Sequence, residues 1–93
     1  MSRKEIIDQI LHSTAALENG LKVPAEPPRY IALEKDLFTN TILAYFGEYL
    51  TEIRRALEES ETNHVDRVRV HDLDTGQVYV PVWKIAEFGE FHL

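Results

Sequence analysis

The stretch VRVHDLDTGQVYVPV, from Val68 to Val82, constrains the fold more than any other part of the chain. Two alternating runs flank Asp74-Thr75-Gly76, and a glycine able to turn left-handed between such runs marks a β-hairpin. Pairing Leu73 with Gln77 sets Val70 against Val80 and Val68 against Val82. Val68, Val70, Val78, Val80 and Val82 then share one face. A slip of one residue would divide those valines between both faces, so this register is the expected one. Arg67, Arg69, His71, Tyr79, Pro81 and Trp83 fall on the other face. Arginine, tyrosine and tryptophan are enriched where proteins bind one another, which makes Arg67, Arg69, His71, Tyr79 and Trp83 the candidate binding residues.

A lone hairpin is marginal in water, so the remaining residues must cover it. Ser2 and Glu5 have the spacing of a capping box, in which each side chain satisfies an open amide at a helix start. Ile6, Ile7, Ile10, Leu11, Thr14 and Leu17 recur at helical intervals up to a stop at Asn19-Gly20, which predicts an N-terminal helix. LKVPAEPPR, residues 21–29, holds three of the four prolines and reads as a stiff, Pro-rich connector.

Residues 31–60 read as a short helix and then a long central helix. Leu43, Phe46, Leu50, Ile53 and Leu57 form one helical stripe, with Phe38, Ile42, Tyr45, Tyr49 and Ala56 beside it, over an arc of about 160°. Leu33 and Leu37 would fall on the opposite, polar side of that helix. A break near Thr39-Asn40 removes the conflict and supplies a cap for the second segment. After Trp83, KIAEFGEFHL fits either a third strand or a short C-terminal helix, with Ile85, Phe88, Phe91 and Leu93 in need of cover. The expectation is a single α+β domain over residues 1–93, with Tyr45, Tyr49, Phe88 and Phe91 as surplus apolar surface at an interface.

Chemistry is sparse. No cysteine is present, which removes disulfides, thiolate metal sites and cysteine nucleophiles. His12, His64, His71 and His92 lack the close spacing of a zinc pair, and Asp72-Leu73-Asp74-Thr75-Gly76 departs from a calcium loop because Trp83 stands where its last glutamate belongs. No catalytic residue, cofactor or metal site is expected. A net charge of −6 repels nucleic acid, and the absence of a signal-like or membrane-spanning run points to the cytoplasm.

The resulting expectation is a small non-enzymatic protein-interaction module. It is homodimeric or bound to a larger protein partner, through the apolar surface of the long helix and the Arg/aromatic hairpin face. The alternatives are a nucleic-acid-binding accessory protein using that hairpin face, and a small enzyme or ligand-binding protein with a helix–sheet pocket.

Overall fold

The computed structural model describes residues 2–12, 24–36, 41–60 and 67–81. They form helix α1 (Arg3–His12), strands β1 (Tyr30–Asp36) and β2 (Thr41–Gly47), helix α2 (Leu50–Glu59), and strands β3 (Val68–Asp72) and β4 (Val78–Tyr79). The strands make one antiparallel sheet in the order β2-β1-β3-β4. A mixed α+β domain is therefore correct, but its layout differs from the sequence expectation.

The short helix and the first part of the long helix are strands. In β1, Ile31, Ala32 and Leu33 are consecutive and all buried, because each face of the sheet carries a helix. Ala32 lies with Tyr30, Val68, Val70, Tyr79, Ile53 and Leu57 on the α2 side. Ile31 and Leu33 join Ile7, Leu11 and Leu73 on the α1 side. A strand covered on both faces loses the period-two alternation of a half-exposed one. The broad apolar arc of residues 42–57 is thus a strand with apolar residues on both faces, half-buried except for exposed Leu43, followed by a helix buried on one. Long-range packing here overrides the helix preference of leucine and alanine.

Local chemistry fixes the helix ends. At α1, the Glu5 amide donates to Ser2 Oγ at 3.2 Å, and the Ser2 amide donates back to the Glu5 carboxylate at 3.5 Å, so the expected capping box is present. At α2, Glu52 accepts the Tyr49 amide at 3.2 Å. Gly47 lets strand and helix meet, since a Cβ there would stand 2.9 Å from Glu52 Cβ and 3.3 Å from the Tyr49 carbonyl oxygen. The expected continuation of α1 to Gly20, residues 21–23 of the connector and the tail from Val82 onward lie outside the described residues.

The hairpin exists in a different register. Val70 faces Tyr79 and His71 faces Val78. Tyr79 is therefore buried at 7 % exposure on the valine side, whereas Val78 and Val80 are 51 % and 38 % exposed on the other. The turn decides this. Asp72 Oδ1 accepts the amides of Asp74 at 2.9 Å and Thr75 at 3.3 Å, and the Gly76 amide donates to the Asp72 carbonyl at 2.8 Å. Gly76 takes φ = +77°, which an L side chain adopts only with strain. Leu73 leaves the strand, donates its amide to the Arg29 carbonyl at 2.7 Å and packs under α1. Burying the Tyr79 ring also removes more apolar surface from water than burying a valine.

Candidate interaction surface

One end of the sheet holds a charged clasp. Tyr30, Gly47 and Asp72 lie in one row across three strands, so Arg29, Glu48 and the β3–β4 turn come together beside the start of α1. Arg29 grips buried Asp72 through two hydrogen bonds, 2.9 and 3.1 Å, and lies 5.1 Å over the Tyr30 ring. Its amide donates to Glu48 at 3.2 Å. Arg3 bonds Asp74 at 2.6 and 2.9 Å and Glu48 at 3.1 and 3.2 Å.

The electrostatics follow from these contacts. Burial alone would raise the Asp72 carboxyl, but hydrogen bonds from Arg29, the Asp74 amide and the Thr75 hydroxyl and amide bring it down to about 2. Asp74 is lowered by its hydrogen bond from Arg3, and both guanidiniums are held more firmly protonated by their carboxylate partners. Two arginines and three carboxylates satisfy one another here. The cluster joins α1, β1, the β2–α2 turn and the hairpin, and its chemistry is that of a structural fastening.

The expected hairpin binding face is only partly assembled. Arg69 is exposed and donates to the Val68 carbonyl at 2.9 Å. Half-buried His71 shares its face, and burial with the nearby Arg69 charge lowers its pKa. The cross-strand neighbour of His71 on β4 is Val78, because Tyr79 lies on the opposite face with its hydroxyl on Gln77. Half-buried Arg67 immediately precedes β3. Trp83, Phe88 and Phe91 lie outside the described residues. Tyr45 sits on β2, half-buried, with its hydroxyl donating to Glu34 at 3.3 Å. Tyr49 follows β2 and is 67 % exposed.

The two outer strands differ sharply. β4 is two residues long and is followed within two positions by Pro81, which has no amide to offer. Short length and proline are ways in which a sheet margin is protected from pairing with another chain. β2 has seven residues, TILAYFG, without a charge or a proline. They belong to the longest charge-free run in the sequence, the eleven residues from Leu37 to Gly47. Among the described residues, no strand pairs with its outer side. Ile42, Ala44, Tyr45 and Phe46 are half-buried against the two cores, and Leu43 is 43 % exposed.

Sequence reasoning placed Tyr45 and Tyr49 at an interface but read them on a helix. The charge-free run was the available signal for an unprotected strand. The clasp had no comparable local signal, since Arg3, Arg29, Glu48, Asp72 and Asp74 are scattered along the chain. Among the described residues, no three His, Asp or Glu side chains group as metal ligands, and no helix is long and apolar enough to cross a membrane. No protein-family model, curated protein or solved structure matches the chain.

Proposed function

We propose that this chain is a small non-enzymatic protein-interaction module, and that it binds by adding a strand to the outer side of β2. The supporting observation is the contrast between the margins, one shortened and followed by proline, the other seven residues long, free of charge and proline and, among the described residues, with no strand on its outer side. Strand addition obtains affinity from main-chain hydrogen bonds and specificity from alternate side chains on the two faces. At β2 those alternate sets are Ile42, Ala44 and Phe46 on the α1 side, and Leu43 and Tyr45 on the α2 side.

Hydrogen exchange tests this reading. Protein diluted to nanomolar concentration is compared with protein held at high concentration and with protein mixed into extract of its native cell. Added protection on residues 42–46, with α1 unchanged, is the expected result. Equal exchange of β2 under all three conditions would overturn it.

A further inference from the structure

We infer that the occupant of the β2 margin is a second copy of the chain, paired antiparallel about a two-fold axis at Ala44 to give a continuous eight-stranded sheet. This rests on the strand-addition reading above and names its partner.

The first argument is charge. Each copy carries a net charge of −6, so two copies repel unless they approach along a neutral seam. The Thr41–Gly47 strand provides one. At its C-terminal end stands Glu48, which opposes overlaps displaced far enough in that direction to set the two copies' Glu48 side chains together, since like charges directly opposite are unfavourable.

The second argument is register. A two-fold axis perpendicular to a sheet sets one residue opposite itself and keeps each face continuous across the junction. With Ala44 on the axis, Leu43 meets the second copy's Tyr45, Ile42 meets its Phe46, and Thr41 meets its Gly47. All seven residues overlap. The small side chain falls on the axis, where two identical groups meet, and every larger pair joins an aliphatic to an aromatic group, a favourable cross-strand combination. Moving the axis to Leu43 or Tyr45 shortens the overlap and sets two bulky side chains against each other.

The third argument is continuity. Ile42, Ala44 and Phe46 already pack on the α1-side core, and Tyr45 on the α2-side core. Face-preserving pairing extends both cores into those of the second copy. Half-buried side chains on both faces of β2, the outermost strand among the described residues, suit a strand that gains a further neighbour.

Because the chain has no cysteine, a single introduced thiol reads this geometry directly. Directly opposed residues in an antiparallel pair have Cα atoms about 4.5–5.5 Å apart, within the roughly 4.4–6.8 Å that a disulfide spans. Ala44→Cys is a small change on a half-buried strand. Under mild oxidation at micromolar concentration it should form a covalent dimer at least about tenfold faster than Ile42→Cys, whose two copies would stand about 13 Å apart at about 3.3 Å per residue. Leu43→Lys should reduce dimer in sedimentation at least about tenfold without altering the circular dichroism spectrum.

Preferential cross-linking of Leu43→Cys or Tyr45→Cys would overturn the Ala44 axis. A monomeric wild-type protein at about 100 μM, with no cross-linking of any single-cysteine variant, would overturn the second copy as partner. In that case, β2 protection in native extract would still uphold strand addition with a different protein, and absence of that protection would overturn both. The two failures are therefore distinguishable.

Discussion

Tyr79 faces Val70 across the hairpin, one residue out of step with a pairing that would set Val80 there. The ring is buried among Ala32, Ile53, Leu57 and Val68, whereas Val80 is 38 % exposed. Tyr79→Ala should cost about 3 kcal/mol, as large-to-small aromatic changes in cores do. Val80→Ala should cost less than about 1 kcal/mol. Urea unfolding of the two variants checks the register, and a reversed order of stabilities would show that the other pairing forms in solution.

Two separate acid transitions follow from His71 and Asp72. The His71 pKa is below its ordinary 6.5, so the unfolded chain binds the proton more readily, and stability falls as pH drops below about 6.5. The Asp72 carboxyl is held at about 2 against an ordinary 3.8. Its contribution, on the order of 2 kcal/mol, is present above the ordinary value and disappears as pH falls from about 4 to 2. His71→Gln should remove the first decline only, and Asp72→Asn should shrink the second only, leaving the part that Asp74 contributes through Arg3. Thermal unfolding from pH 8 to 2 checks both assignments; one merged decline unaffected by either variant would contradict them.

The glycines at 47 and 76 differ in why a side chain is unwelcome. At Gly76 nothing lies within 4 Å of the Cβ position, so Ala costs only the strain of φ = +77°, about 1–2 kcal/mol. Asn tolerates that conformation and should recover part of the loss. At Gly47 the obstacle is the first turn of α2, with Glu52 Cβ 2.9 Å from the Cβ position. Gly47→Asn should therefore be no better than Gly47→Ala. Denaturant midpoints for the four variants separate backbone strain from collision.

The sequence was most legible where local chemistry decides the structure. The Ser2–Glu5 cap, the hairpin around Gly76 and the helical phase of Leu50, Ile53 and Leu57 all depend on neighbours a few residues away. Thr39-Asn40, where a break between two helices and a cap for the second were expected, lies outside the described residues, between the end of β1 and the start of β2. What lay on either side was misread because Ile31, Ala32 and Leu33 are buried on both sheet faces, which removes the alternation that distinguishes a strand from a helix. The hairpin register failed for a different reason. Counting valines treats all apolar positions alike, but the Asp72 carboxylate fixes the turn through amides two and three residues ahead, and that hydrogen bonding sends Tyr79 inward. For the candidate surface, the apolar excess at Tyr45 and Tyr49 was visible, but its margin position depended on strand order.

The two helices should contribute comparable stability although α1 is joined to the sheet from the chain's beginning and α2 connects two of its strands. Leu11 and Leu57 are both fully buried, Leu11 against Ile31, Leu33 and Leu73, and Leu57 against Ala32, Val68 and Val70. Leu11→Ala and Leu57→Ala should each cost about 2–5 kcal/mol. Domains of this size have total stabilities of about 5–15 kcal/mol, so the double variant should lose cooperative unfolding or sit at its threshold. Calorimetry on the single and double variants is decisive for the three-layer arrangement. If Leu11→Ala left the transition within about 1 kcal/mol of the parent, α1 would not be the second cover of the sheet, and the double burial of β1 would need another source.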